Sequence, residues 1–248
     1  MIIDKNGYIG EKRPNGNTVY FGYLDSFADF SDKGLGQVTI IPIVIGEVTI
    51  GGRKYKTTKI GNQEWLAENL DYKFDVNGSQ IPIGVNGSPT TPAAWYYDNN
   101  EASYGIDGTY KCGLLYNWYA AKYLDDNKAT LLPNGWHVPT TTELDTLATT
   151  LGGASIAGLL LKALDNSVTS NWPNVWNGTD YRGFNALPSG YYKNELFYSI
   201  GTYAGFWTSN EYDRTFAYNR RLYADALLYS TYDNKIYGIS LRLVKDAS

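Results

Sequence analysis

The carboxylates at Glu211 and Asp213, and at Asp225 and Asp233, can be drawn as the acid and base of glycoside hydrolysis. Both pairs, however, lie in a polar stretch crowded with tyrosine, where carboxylates more often serve as solvated contacts. His137 stands in GWHVP, between Trp136 and Val138 and just ahead of a helix start. No Ser or Cys motif accompanies it, so it reads as a packed, hydrogen-bonded histidine rather than a base. Cys112 is the only cysteine and His137 the only histidine, which excludes an intrachain disulfide and a multi-histidine metal site. The stretch 98–108, DNNEASYGIDG, departs from the spacing of a calcium loop, and no glycine-rich phosphate cradle is present. No catalytic residue or cofactor is therefore expected, and a structural calcium held by the Asp and Asn side chains of 98–108 is the one metal site left open.

The chemistry that remains is binding. Residues 212–234 form a run of Tyr, Asp, Asn, Arg, Ser and Ala with no clear period. Tyrosine supplies contact area at low rotamer cost and small polar residues adapt around it, as in a paratope. The expected ligand-binding residues are Tyr212, Asp213, Arg214, Tyr218, Asn219, Arg221, Tyr223, Ala224, Asp225, Ala226, Leu227, Tyr229, Tyr232 and Asp233. The run contains no Lys, Glu, Gln, Trp or Met, types that make up 33 of the 248 residues. Drawn from the chain's own composition, so long a gap arises roughly a few times in a hundred. An Asn codon randomised at its two adenines, with a third-position pyrimidine, encodes none of those five.

A frame must hold this surface. Phe206, Trp207, Phe216, Leu222, Ile239, Leu241 and Leu243 are its core candidates, and the last three alternate with Ser240 and Arg242 as in a half-buried strand. Phe216, Arg220 and Leu222 are expected to point inward or pair with the frame. Upstream, 48–50 and 53–60 flank Gly51-Gly52 as a hairpin, and 63–70 reads as a short buried piece around Trp65 and Leu66. Residues 75–110 read as a long surface loop carrying Trp95, Tyr96 and Tyr97. Helices are expected over 113–124, over 140–151 with Thr140 and Glu143 as a capping box, and over 155–164. The class is α+β.

Net charge is −4, so no basic footprint for nucleic acid exists, and no apolar run reaches membrane-spanning length. The 23 tyrosines and seven tryptophans suit a surface that grips a partner. Residues 1–46 differ in character: turn-rich at 4–17, a strand at 18–23, then an apolar stretch at 37–45 interrupted by Pro42. Left exposed, that stretch would aggregate. It reads as an attachment or oligomerisation segment, with 47–248 as the ligand-binding domain and a variable surface at about 206–240.

Six ordered stretches carry a resemblance: KIGNQEWLAENL (59–70), LLYNWYAAK (114–122), LLPNGWHVPTTTEL (131–144), GFNALPSGYY (183–192), FWTSNEYD (206–213) and GISLRLVKD (238–246). Together they resemble the Fibrobacter succinogenes major paralogous domain family over about residues 47–246. The resemblance implies a C-type-lectin-like fold, in which two to three helices accompany twisted antiparallel sheets and late loops bind ligand. Formylglycine-generating enzymes share that fold but need a cysteine pair, which this chain lacks. The triplets EPN, QPD and WND of calcium-dependent sugar lectins are also absent.

The fold is similar, too, to that of variable proteins of diversity-generating retroelements, which randomise adenines at a gene's 3′ end. The residue types missing from 212–234 match that pattern. The implied function is a ligand- or receptor-binding protein on a phage tail, with residues 1–46 docking to other virion proteins and a homotrimer the expected assembly. The lack of a signal peptide in the sequence favours a virion part over the alternative, a bacterial cell-surface adhesin or carbohydrate-binding module. The expected partner is a protein or glycan receptor on a cell surface, without membrane insertion.

Overall fold

The computed structural model describes residues 45–87, 89–101, 112–163 and 178–246, together with the backbone of three strands before residue 24. The chain divides into two units, Met1–Val44 and Ile45–Ser248, two residues from the boundary expected after residue 46. In the first unit β1 (Ile2–Ile3), β2 (Tyr8–Lys12) and β3 (Thr18–Tyr23) form an antiparallel meander. The apolar stretch 37–45 lies outside the described residues except for Ile45, which opens the next strand.

The second unit is mixed α+β. Its first sheet contains β4 (Ile45–Ile50), β5 (Arg53–Ile60), β6 (Gln63–Leu66) and the C-terminal strand, in the order last, β6, β5, β4. Gly51-Gly52 makes the two-residue turn between β4 and β5, with Ile50 opposite Arg53, as its sequence requires. Trp65 and Leu66 are fully buried. The stretch 75–110 is not a simple surface loop. It contains a small hairpin of β7 (Asp75–Val76) and β8 (Ser79–Gln80), then β9 (Ala94–Trp95), whose tryptophan is fully buried.

The helix expected over 113–124 begins later. Leu115 and Tyr116 form β10, and Asn117 then caps α1 (Trp118–Asp126) by accepting the Ala120 amide at 2.9 Å. One further turn, α2 (Lys128–Leu131), precedes α3 (Thr141–Thr150). The Thr140–Glu143 capping box is present in both directions. Next come α4 (Ala154–Leu161) and a hairpin of β11 (Ser189–Lys193) and β12 (Leu196–Ile200).

The remaining strands are β13 (Ala204–Glu211), β14 (Phe216–Leu222), β15 (Tyr229–Asn234), β16 (Ile239–Ser240) and β17 (Val244–Asp246). They complete a six-stranded sheet ordered β15-β14-β13-β16-β10-β9, while β17 returns to pair with β6. The half-buried alternation expected at 239–243 is not what forms. Ile239, Leu241 and Leu243 are buried, but so are Ser240 and Arg242, because this segment crosses from one sheet to the other. Arg242 is satisfied there: its guanidinium donates to Asn69 Oδ1 at 2.7 Å and to the carbonyls of Leu66, Phe184 and Asn185. Burial lowers its pKa to about 9.

Candidate functional site

The expected surface is a β-hairpin built on a buried frame strand. Trp207 of β13 is fully buried, and its indole N–H donates to the Tyr116 carbonyl at 2.7 Å. Alternation along β14 then sends Phe216, Tyr218, Arg220 and Leu222 to one face and Ala217, Asn219 and Arg221 to the other. Arg220 is buried, pairs with Asp145 and donates to the Thr141 carbonyl at 3.3 Å, which ties the hairpin to α3. Leu222 is fully buried as expected.

Phe216 points inward less than Arg220 and Leu222 do. It is only half-buried, with its ring edge-on to Tyr232 at 5.6 Å. That ring belongs to an aromatic cluster at the outer end of the hairpin. Tyr212 stacks on Tyr232 with centroids 4.1 Å apart and meets Tyr218 edge-on at 5.2 Å. Tyr212 and Tyr232 remain 46% and 45% exposed, which makes them an open contact surface. Nearby Asp213 is occupied by its own turn, accepting the Thr215 and Phe216 amides at 2.7 and 2.8 Å. Arg214 is exposed, and its carbonyl accepts from the buried Lys235, which also pairs with Glu211 and lies 4.7 Å over the Trp118 ring.

The loop joining β14 to β15 is held through its main chain. The fully buried Lys162 directs its ammonium to the carbonyls of Tyr223 and Asp225, at 2.9 and 2.6 Å. From α4, the Leu159 amide donates to the Ala226 carbonyl at 3.3 Å, and the Leu228 amide donates to the Ala154 carbonyl at 2.8 Å. Leu228 alone of this loop is buried; Tyr223, Ala224, Asp225 and Leu227 are exposed and Ala226 half-buried. The Asp225 carboxylate accepts the Leu227 amide and the Tyr229 hydroxyl within the loop. The anchorage to α4 and Lys162, made by carbonyls and amides, is indifferent to which side chains the loop carries.

The opposite face of the hairpin is polar and concave. A pocket of about 160 Å³ is lined by Tyr191, Lys193, Tyr203, Arg221, Tyr223, Asp233, Tyr237 and Ile239. Its floor exists because Gly205 lies opposite Arg221 in the ladder. A methyl group on Gly205 would collide with the Tyr203 hydroxyl and stand 2.6 Å from Ile239 Cγ2. Arg221 pairs with Asp233. Burial raises the Asp233 pKa against the opposing pull of Arg221, and burial next to Asp233 keeps the Tyr203 hydroxyl protonated. Asn219, expected to contact ligand, is instead fully buried and donates to Asp233 Oδ2 at 2.9 Å. It shares the face of Arg221 but lies beneath the Arg221–Asp233 pair, and its amide orients the carboxylate that lines the pocket.

Thirteen of the fourteen expected residues are therefore at least partly exposed, and they fall into three patches: the aromatic cluster, the loop, and one wall of the pocket. Tyr191, Lys193, Tyr203 and Tyr237 were missed. The only signal for Tyr191 and Lys193 was a second tyrosine-rich stretch, GYYKNELFY, and nothing local says that it packs beside the first. His137 is packed as expected, with Nε2 at 2.6 Å from Glu143 Oε1 and Nδ1 at 2.9 Å from the Gly135 carbonyl. Cys112 is buried, which raises its thiol to about 12 and leaves it unreactive. Among the described residues no group of three or more His, Cys, Asp or Glu side chains is arranged to hold a metal ion.

A family model described as the Fibrobacter succinogenes major domain matches residues 58–245. No curated protein and no solved structure matches the chain.

Proposed function

The chain belongs to the Fibrobacter succinogenes major domain family, and on that frame we propose that it is a ligand- or receptor-binding protein whose diversified face is the 212–234 hairpin. The observation that carries this reading is the attachment of the 223–228 loop. Its contacts to Lys162, Leu159 and Ala154 run through main-chain atoms, while Ala224, Asp225 and Leu227 are exposed and the Tyr223 ring turns to the pocket wall. Such a loop accepts new side chains without losing its anchorage, which is what a surface under diversification needs. The exposed tyrosine stack of Tyr212 and Tyr232 supplies rigid contact area beside it.

In this reading the scaffold is C-type-lectin-like, the gene is diversified by a retroelement, and the protein is a phage tail component that meets a host-cell receptor. Two experiments test it. A reverse transcriptase gene and a near-identical repeat downstream are expected beside the coding sequence; their absence removes the retroelement. Labelled full-length protein is expected to bind a subset of bacterial strains. The double variant Tyr212→Ala, Tyr232→Ala should lose binding by about tenfold or more, as for a truncated hot spot, while keeping its melting temperature. Equal binding by that variant, or no strain bound at all, contradicts the proposal.

A further inference from the structure

The pocket on the concave side of the hairpin has a charge balance that points to one class of ligand, an inference that rests on reading the hairpin as a binding surface. Its charged groups are Lys193, Arg221 and Asp233. Arg221 and Asp233 are paired, and Arg221 also donates to Asn219 Oδ1 at 3.3 Å and to the Tyr232 carbonyl at 3.4 Å. Lys193 lies 5.1 Å over the Tyr237 ring and forms no ion pair among the described residues. It helps to hold down the pKa of Asp233 without reaching it. The lining thus carries one positive charge more than it balances.

The rest of the wall consists of the rings and hydroxyls of Tyr191, Tyr203, Tyr223 and Tyr237, with Ile239 its single aliphatic side chain. A space of about 160 Å³ is small beside a drug-sized site of roughly 300–1,000 Å³ and admits one small unit, such as the last residue of a chain. A pyranose presents C–H faces to aromatic rings and hydroxyl edges to Asp233 and the phenols. A carboxylate on that ring would meet Lys193. A peptide C-terminus would bring the carboxylate but finds no apolar subsite for its last side chain. We propose that this pocket binds the carboxylated sugar that terminates a glycan, of the uronic or sialic acid type.

The test is calorimetric titration of the full-length protein with galacturonate, N-acetylneuraminate, galactose and N-acetylglycine. The acidic sugars are expected to bind about tenfold tighter than galactose or N-acetylglycine, the worth of one charge-assisted contact. Lys193→Met should erase that preference, while Leu196→Ser, exposed on the neighbouring strand, should leave it unchanged. Equal binding of galactose, equal binding of N-acetylglycine, or no saturation by either acidic sugar would overturn the proposal. The strain-binding test with the Tyr212 and Tyr232 variant uses none of these sugars. Its success alongside failure here would remove only the ligand class, and failure of both would remove the surface itself.

Discussion

Gly158 of α4 lies directly beneath the carbonyl of Leu227, closer than any residue with a Cβ could come. Replacing a mid-helix glycine with alanine ordinarily stabilises a helix by about 1 kcal/mol. Here the added methyl would meet the Leu227 and Ala226 carbonyls, and a backbone would have to shift. Gly158→Ala is therefore expected to lower the melting temperature and to raise amide exchange in 223–228. An increase in melting temperature would show that the loop does not rest on α4 as described.

Lys162 is the second bolt. Its ammonium is fully buried and supplies charge-assisted hydrogen bonds to two loop carbonyls. Lys162→Met fills the same space without the donors, and the expected loss is roughly 1.5–3 kcal/mol. Denaturant unfolding measures it. A change within about 0.5 kcal/mol, the range of ordinary surface substitutions, would assign the anchoring elsewhere.

The His137–Glu143 pair gives a pH signature. The hydrogen bond that His137 donates to Glu143 raises the histidine above its usual 6.5, with burial opposing. Burial alone would raise Glu143, yet hydrogen bonds from His137 and Thr140 bring it below its usual 4.5. A raised histidine contributes stability fully below its unfolded pKa and loses it as pH climbs through the folded value. A lowered carboxyl contributes above its unfolded pKa and loses it as pH falls through the folded value. The pair therefore stabilises most between 4.5 and 6.5. The melting-temperature gap between the native protein and His137→Gln should be widest between 4.5 and 6.5 and narrow as pH rises above the histidine's raised folded value. A gap independent of pH would show that the pair contributes nothing through its charge.

Self-association is expected through the apolar stretch 37–45, whose exposure would otherwise invite aggregation. Light scattering should give a trimer for the full chain and a monomer for a chain shortened to begin at Gly46. Multivalent display would then strengthen individually weak sites. A monomeric full-length protein removes the assembly role.

What the sequence made legible was local. The Thr140–Glu143 box, the Gly51-Gly52 turn and the buried Trp65-Leu66 pair depend on neighbours within a few residues. Lys162 was not legible, since a lysine at a helix end ordinarily faces water and its two acceptors lie 61 and 63 residues away. Arg242 misled for a related reason: its alternation with leucines reads as solvent-facing until a second sheet covers it. Of the site, the aromatic cluster and the exposed loop could be read from composition alone. The pocket could not, because Tyr191 and Lys193 come from a separate hairpin that packs beside β13 and β16 only in the fold.

The central claim is that the frame carries the fold while the hairpin and loop are free to vary. A displayed library of the full-length protein, randomised at Tyr212, Tyr223, Ala224, Asp225 and Tyr232 and scored for protease resistance, tests it most directly. The account predicts that most members resist as well as the native chain, each exposed change lying within about 0.5 kcal/mol. Trp207→Ala and Leu241→Ala, scored beside them, should lose roughly 3–5 and 2–5 kcal/mol. A library as fragile as those two core variants would contradict the division between frame and surface.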